Sequence, residues 1–323
     1  MTSALRRRSL LTATLLAALV PQAHSAGYPE RPLTLVVAYP AGAAVDRAGR
    51  TFAQQLEKQL GQPVIVENIA GASGTLGAKK LVRSAADGYT LLMGTNNEVI
   101  ISPAAMKAGY GANDFTPVSR IGYDTTVVVA SKSFAPNSVD ELVKLAKSST
   151  APVLLGVAGI ATMQTFGAAL LAEAAGVKFD NVVYKGGAPL VNDLLGGQVQ
   201  VGTIALSSVL PHIQQGRLKA LGVISAKRHP SAPQIPTVNE SQFVKGVEAD
   251  LWIGLFAPAK LPAPVLARLA GSMRAIVADA GYRESEMRAG ALVADFMEPA
   301  DFQRFVLNEQ ERLRPLLANV KVE

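Results

Sequence analysis

Six loops rich in glycine and alanine hold the residues of this sequence with the clearest capacity to bind a ligand. Each loop follows an apolar, strand-like run and precedes a helix-like segment. At such positions the first backbone N–H groups of a helix lack intrahelical acceptors and carry about half a positive charge. Small residues let a ligand approach these groups closely. The loops therefore predict a site that binds an anion through the main chain.

The candidate ligand-binding residues all lie in or beside these loops. They are Tyr39, Ala41, Gly42, Val45 and Asp46 in the first loop, Ala72, Ser73 and Gly74 in the second, Thr95, Asn96, Asn97 and Glu98 in the third, Ala158, Ala161, Thr162 and Thr165 in the fourth, Tyr184, Lys185, Gly186 and Gly187 in the fifth, and Leu206 in the sixth. Any one loop is more typical of a tight connection, whereas six loops that share a cleft favour ligand binding.

Side chains suited to catalysis are sparse. The sequence has no cysteine, which excludes a thiolate nucleophile and cysteine-bound metals. It also lacks a nucleophile elbow, a phosphate-binding P-loop and a dinucleotide-binding motif. Beyond the first 25 residues the only histidines are His212 and His229, which are more typical of surface residues than of bases, and which exclude a histidine-rich metal site. We expect no catalytic residue, no metal and no cofactor.

Three polar side chains leave alternatives open. Asp46 and Glu98 are candidates for an acid–base pair, but the position of Asp46 before a helix-like segment favours an N-terminal helix cap. Lys185 is either a solvated turn lysine or a charge that faces the ligand. The alternative function is an exported hydrolase that uses Ser73, or Asp46 with Glu98.

The elements that must position these loops alternate between strand-like and helix-like segments from Leu33 onward. This order predicts an α/β fold with largely parallel sheets. The predicted strands are 33–38, 64–66, 89–93, 153–157, 182–184, 199–205 and 251–256. The predicted helices begin near residues 46, 74, 138, 162, 189 and 299, and a further helix has Leu266, Leu269, Met273 and Ile276 inward.

The spacing of the loops predicts two domains of similar design. Gly42 and Gly71 are 29 positions apart, and Gly159 and Gly187 are 28 apart. The C-terminal helices need a sheet to cover, and a return to the first sheet is the economical arrangement. We predict domain 1 over 26–124 and 247–323 and domain 2 over 125–246, with a hinge near 122–127 and 227–250.

The first 25 residues have the pattern of an export signal. Arg6, Arg7 and Arg8 precede an apolar run over 10–20, and small residues lead up to Ser25. The apolar run is too short to cross about 30 Å of hydrocarbon, so we predict cleavage near Ser25. The route, general secretory or twin-arginine, stays open. Without this segment the formal net charge falls from +6 to +3, which gives little reason to expect nucleic-acid binding.

Short motifs along nearly the whole remaining chain carry a resemblance to a known family. They are 28–32 (YPERP), 61–68 (GQPVIVEN), 87–92 (DGYTLL), 184–186 (YKG), 193–199 (DLLGGQV), 225–228 (SAKR) and 235–238 (IPTV). Each motif is short, but together they are specific. At these positions the sequence closely resembles the substrate-binding receptors of tripartite tricarboxylate transporters, the TctC-like or Bug receptors.

The resemblance implies a periplasmic binding protein-like fold of type II, in which two hinged α/β domains close around a small organic acid. It implies that the loops over 39–46 and 71–75 hold a carboxylate through backbone amides and ordered water. It further implies that 158–165 and 184–187 contribute from the second domain. The expected partner is a membrane permease, and the expected state is a periplasmic monomer. A receptor that signals to a membrane sensor is a further alternative.

Two stretches depart from the family pattern. The first loop usually reads Pro-Gly-Gly-Gly-Thr-Asp, whereas residues 41–46 read AGAAVD. A stretch rich in glycine and serine that ends in histidine is replaced by 160–165 (IATMQT). These departures predict a less polar pocket than usual. Glu98, if it faces the cleft, would disfavour a polyanion and favour an amine.

Overall fold

The computed structural model describes residues 27–319, so the predicted export signal and its cleavage position lie outside the described residues. The strands are β1 (Leu33–Val37), β2 (Val64–Asn68), β3 (Thr90–Thr95), β4 (Phe115–Ser131), β5 (Val153–Val157), β6 (Phe179–Val183), β7 (Val201–Ala205), β8 (Leu218–Val223), β9 (Asp250–Pro258) and β10 (Ala291–Val293).

The helices alternate with the strands as an α/β fold requires. They are α1 (Ala44–Leu60), α2 (Thr75–Val82), α3 (Ser102–Ala105), α4 (Val139–Ser148), α5 (Met163–Ala175), α6 (Gly187–Gly196), α7 (Leu206–Gln214), α8 (Ala263–Ala278), α9 (Ala280–Arg288) and α10 (Pro299–Asn319). None of the helices within 27–319 is long and apolar enough to span a bilayer.

Two sheets of the same design share one long strand. The first has the order β2-β1-β3-β9-β4, in which β1 pairs with β2 and β3 in parallel and β9 is antiparallel to β3. The second has the order β6-β5-β7-β4, again with three parallel strands and then an antiparallel one. We call the half built on the first sheet lobe 1 and the half built on the second sheet lobe 2.

Strand β4 joins the lobes because its two ends belong to different sheets. Residues up to Thr125 pair with β9, and residues from Thr126 onward pair with β7 and β8. The chain returns to lobe 1 through β9, where Thr125 lies opposite Asp250. Two adjacent strand segments therefore form the junction between the lobes.

The helix predicted to begin near residue 46 is present as α1, which begins at Ala44. Ala48, Phe52, Leu56 and Leu60 are buried on one face of α1. Gly61 ends the helix with φ 72° and donates its N–H to the carbonyl of Glu57. A glycine suits this left-handed position because it has no Cβ to clash. The helix thus covers the sheet that the continuous apolar strands build.

Several elements differ from the sequence-based predictions. Strands β4, β8 and β10 and helix α9 were not predicted. Residues from Leu206, predicted as a loop, form the first turn of α7. The third predicted loop is short, because Asn97–Ile101 wind into a π-helical turn directly after β3. The polar residues at both positions therefore belong to regular structure, which holds their side chains in place.

Candidate ligand-binding site

Two cavities lie between the lobes and share Tyr39 and Ala158. The larger, about 470 Å³, we call the loop chamber, and it is lined by Ala38, Tyr39, Pro40, Ala70, Gly71, Ala72, Ser73, Gly74, Ala158, Gly159, Ile160, Val183, Tyr184, Lys185 and Gly186. The smaller, about 30 Å³, we call the hinge chamber, and it is lined by Tyr39, Ala43, Ala44, Val45, Asn97, Ala158, Gln164, Gly187, Ile204, Ala205, Ser208 and Leu251. Both lobes contribute to each chamber.

The hinge chamber is surrounded by the beginnings of four helices. Ala44 and Val45 open α1, Gln164 lies in the first turn of α5, Gly187 opens α6, and Ser208 lies in the first turn of α7. The helices start here because each follows a parallel strand, and the carboxyl ends of parallel strands gather at one edge of a sheet. Four positive helix ends thus converge on one small space.

Two of these helix ends are capped by the protein itself. Asn97 Oδ1 accepts a 2.7 Å hydrogen bond from the N–H of Met163, and Thr162 Oγ1 accepts one of 3.4 Å from Thr165, so α5 is satisfied. Asp124 Oδ1 accepts a 3.3 Å hydrogen bond from the N–H of Ser207, which caps α7. Burial raises the pKa of Asp124 to about 6, although the Ser207 hydrogen bonds favour its ionised form.

The other two helix ends, those of α1 and α6, have no such cap. Neither Ala43 before α1 nor Gly186 before α6 makes a side-chain capping hydrogen bond. They belong to opposite lobes and lie close together, since Ala44 and Val45 of α1 and Gly187 of α6 line the same small chamber. The first N–H groups of these two helices are therefore the main-chain donors best placed to hold an anion between the lobes.

Asp46 does not cap α1 as the sequence predicted. The helix begins earlier, at Ala44, so Asp46 lies in the first turn and reaches back to accept a 2.9 Å hydrogen bond from the N–H of Gly42. Its other oxygen accepts from Asn68 Nδ2 at 2.8 Å, while Arg50 Nε donates at 3.1 Å to the oxygen that Gly42 also bonds. Burial opposes ionisation, but the hydrogen bonds from Gly42, Arg50 and Asn68 outweigh it and lower the pKa of Asp46. The carboxylate thus fixes the first loop.

One wall of the loop chamber has an unusual backbone. Gly71, Ala72, Ser73 and Gly74 have φ values of 132°, 46°, 50° and 88° in succession. The left-handed region is costly for alanine and serine, and such strain is characteristic of functional sites. Ser73 also touches lobe 2, because its Oγ accepts a 3.4 Å hydrogen bond from the N–H of Ala161.

The opposite wall carries the only charged side chain that lines either chamber, Lys185. Its neighbour Tyr184 donates a 2.8 Å hydrogen bond to Asp193, so the carboxylate of Asp193 already has a hydrogen-bond partner. The rest of the loop chamber is lined by small and apolar residues and main chain.

Glu98 is fully buried in lobe 1 and lines neither chamber. Its carboxylate accepts hydrogen bonds from Tyr39 Oη at 2.8 Å and from Thr95 N and Oγ1 at 2.7 and 2.6 Å. Burial raises the pKa of Glu98 to about 7 against these hydrogen bonds. The carboxylate therefore supports Tyr39 and gives no reason to expect an amine in the cleft, which corrects the conditional prediction from the sequence.

The structure brings about half of the predicted site residues to the chambers. Those that line them are Tyr39, Val45, Ala72, Ser73, Gly74, Asn97, Ala158, Tyr184, Lys185, Gly186 and Gly187. Those that line neither are Ala41, Gly42, Asp46, Thr95, Asn96, Glu98, Ala161, Thr162, Thr165 and Leu206. Several of the latter make the hydrogen bonds that shape the loops, so we assign them a supporting position.

Gln164 and Leu251 line the hinge chamber although neither was named as a candidate residue. Gln164 lies within the stretch 158–165 that the family resemblance implied, on the first turn of α5. Leu251 lies at the start of β9, opposite Asp124 of β4. Leu251 carried no signal in the sequence alone.

The two histidines are not part of either chamber. His212 is partly exposed on α7. His229 is 2% exposed, contrary to its prediction as a surface residue, and its Nδ1 accepts a 3.2 Å hydrogen bond from Ser231. Burial lowers the pKa of His229. Within 27–319 no cluster of three or more acidic or histidine side chains has the geometry to hold a metal ion.

Comparison with known proteins places this architecture among binding proteins. A family model described as the tripartite tricarboxylate transporter family receptor matches residues 48–322. The periplasmic binding protein BugD is 33% identical, with a TM-score of 0.83 over 92% of this chain and 99% of its own. Rpa4515 of R. palustris with adipate is 28% identical, with a TM-score of 0.85 over 91% and 98% of the two chains. MatC of Rhodopseudomonas palustris with bound malate is also 28% identical, with a TM-score of 0.82 over 90% and 100%.

Proposed function

Because the chain belongs to the tripartite tricarboxylate transporter receptor family, whose members are periplasmic solute-binding receptors and not enzymes, we propose that it captures a small carboxylate-bearing metabolite. It delivers this metabolite to the membrane permease of a tripartite tricarboxylate-type transporter. The bound relatives support the substrate class, since one structure of the family type holds adipate and another holds malate.

The observation that carries this proposal is the pair of uncapped helix ends at the hinge chamber. The starts of α1 and α6 come from opposite lobes and both line the hinge chamber. A carboxylate between them accepts hydrogen bonds from both lobes and lies at two positive helix ends. No charged side chain of the described residues lines the hinge chamber, so none competes with the ligand carboxylate for these N–H groups. The body of the metabolite extends into the loop chamber.

The same contacts couple binding to closure. A ligand shifts an equilibrium between open and closed forms only by its difference in affinity for the two forms. A carboxylate that touches α1 and α6 together binds only when the lobes are close, so it favours the closed form. We propose that the two domains, 26–124 with 247–323 and 125–246, move about the junction of β4 and β9. The permease recognises the closed form.

The remaining parts of the proposal concern location and assembly. We propose that residues 1–25 direct export and that the mature chain acts in the periplasm, as expected for a relative of BugD. We propose that the chain acts as a monomer, because residues of one chain line both chambers. No residue of the cleft has to be supplied by a second copy.

A thermal-shift and calorimetric screen tests the function. The purified mature chain is mixed with adipate, malate and hexanoate, and with hexane-1,6-diol as a neutral analogue of adipate. We expect at least one acid to bind with 1:1 stoichiometry and to raise the melting temperature, because a ligand that binds only the folded state stabilises it. The diol should have no effect. Stabilisation by none of the acids, or equal stabilisation by the diol, would contradict a carboxylate receptor.

A further inference from the structure

Lys185 stands alone in the cleft as a charged group. No aspartate, glutamate, arginine or histidine within residues 27–319 lines either chamber. The only other ionisable side chains in their lining are those of Tyr39 and Tyr184. Lys185 is exposed, and the ion pairs within the described residues do not include it. Asp193, the acidic residue of α6, accepts a hydrogen bond from Tyr184. The ammonium group of Lys185 is therefore available to a ligand.

The position of Lys185 relative to α6 indicates how long a ligand must be to reach both the helix ends and the lysine. Gly187, the first residue of α6, lines the hinge chamber, while Lys185, two residues earlier, lines the loop chamber. Two residues of chain span at most about 7 Å. A ligand whose first carboxylate lies at the helix ends therefore has its far end beside Lys185 if its body is a short extended chain.

We infer that Lys185 selects a second carboxylate, so that the preferred ligand is an extended dicarboxylate with an apolar middle. This inference rests on the proposed carboxylate-receptor function. The first carboxylate binds the main-chain donors of α1 and α6. The apolar middle lies along small and apolar residues such as Ala158 and Ile160. The second carboxylate pairs with the lysine Nζ, and that pair strengthens binding because the chamber walls exclude part of the solvent.

Matched ligands and matched variants test this inference. Adipate and hexanoate have the same carbon chain and differ in the second carboxylate. Lys185→Gln removes the charge, and Lys185→Arg keeps it. Lys178→Gln is the control, because it also removes an exposed lysine. Lys178 precedes β6, at the opposite end of that strand from Lys185. Dissociation constants are measured by calorimetry at low and at high salt.

We expect the wild-type chain to bind adipate about tenfold more tightly than hexanoate at low salt, with a smaller ratio at high salt. In Lys185→Gln the ratio falls to about one because adipate weakens while hexanoate keeps its affinity. Lys185→Arg and Lys178→Gln retain the preference. A ratio unchanged in Lys185→Gln, or an equal loss for both acids, overturns the inference. Equal wild-type affinity for the two acids overturns it and leaves the receptor function standing, whereas binding of neither acid contradicts the receptor function itself.

Discussion

The side-chain oxygen of Asn97 accepts a 2.7 Å hydrogen bond from the backbone N–H of Met163, and this bond ties the start of α5 to lobe 1. Asn97 is 2% exposed, and its amide also donates to Tyr39 Oη at 3.1 Å. Ser102 makes a second link, since its hydroxyl lies 2.8 Å from the carbonyl oxygens of both Ser73 and Ala161. The lobes are thus connected by hydrogen bonds of their own beside the cleft.

Replacement of Asn97 by alanine should destabilise the protein. The change leaves the buried N–H of Met163 without its acceptor, and such a loss costs about 1–3 kcal/mol. The free energy of unfolding, measured by urea titration, should fall by that amount. Asn181→Ala, at an exposed position on β6, is the control and should change stability by less than about 0.5 kcal/mol. Equal stability of the two variants would contradict the assigned contact.

Glu98 should make stability depend on pH. Burial raises its folded-state pKa to about 7, above the ordinary value of 4.5. The folded state therefore binds the proton more tightly, so this contribution to stability is fully present below about pH 4.5 and is lost as the pH rises towards 7. We expect the stability of the wild-type chain relative to Glu98→Gln to fall by on the order of 1–3 kcal/mol between pH 5 and pH 8.

The variant comparison isolates Glu98 from other buried acids. Burial raises the pKa of Asp124 and of Asp250 to about 6 as well, and both residues remain in Glu98→Gln. Their effects cancel in the difference between the two chains. Urea titrations at several pH values give that difference directly. Parallel stability profiles would show that Glu98 does not titrate in this range and would contradict the prediction.

Gly186 should be required for the lobes to approach each other. Its φ of 110° and ψ of 178° lie in a region open to glycine alone, and an added Cβ would meet Pro40 of the opposite lobe at 2.9 Å. Gly186→Ala should therefore weaken adipate binding about tenfold or more. Gly197→Ala is the matched control, because Gly197 also has a positive φ, 72°, but has open space around it.

The two glycine variants separate closure from local strain. Each should lose stability through its backbone conformation, by about 1–2 kcal/mol for Gly197→Ala in the left-handed helical region and by about 1–3 kcal/mol for Gly186→Ala in its rarer region. Only Gly186→Ala should also lose affinity for adipate, which calorimetry measures. If both variants bind adipate as the wild-type chain does, Gly186 and Pro40 do not limit closure, and the proposed contact between the helix ends is wrong.

The sequence was a good guide where an element carries its own pattern. Strands β1 and β3 are short apolar runs that end at small residues, and α1 shows one buried face with a glycine stop. These features are local, so they can be recognised without knowledge of the neighbours. The repeated spacing of the loops led to the prediction of two domains of similar design, although it did not give the strand order of either sheet.

The sequence was a poor guide where partners distant in the chain decide the outcome. Strand β4 has no simple alternation, because Pro117, Arg120 and Asp124 interrupt its apolar residues and each half pairs with a different sheet. Its length and register depend on β7, β8 and β9. The loss of local signal at such a strand is expected when tertiary pairing overrides intrinsic preference.

The same reasoning applies to the site. Helix starts after strands predicted the lining residues Val45, Ser73 and Gly187, since that geometry follows from parallel sheets. Which helix ends are capped could not be predicted, because the acceptor for α5 is Asn97 from lobe 1 and the acceptor for α7 is Asp124 of β4. Those long-range hydrogen bonds leave α1 and α6 as the open donors.

The most direct test of this account observes the backbone amides while a carboxylate binds. A ¹H–¹⁵N correlation spectrum of the mature chain is recorded with and without saturating adipate. We predict the largest shifts at the amides of Ala44 and Val45 at the start of α1 and of Gly187 at the start of α6. Adipate binding that leaves the amides of α1 and α6 unshifted would contradict the claim that these two helix ends hold the ligand.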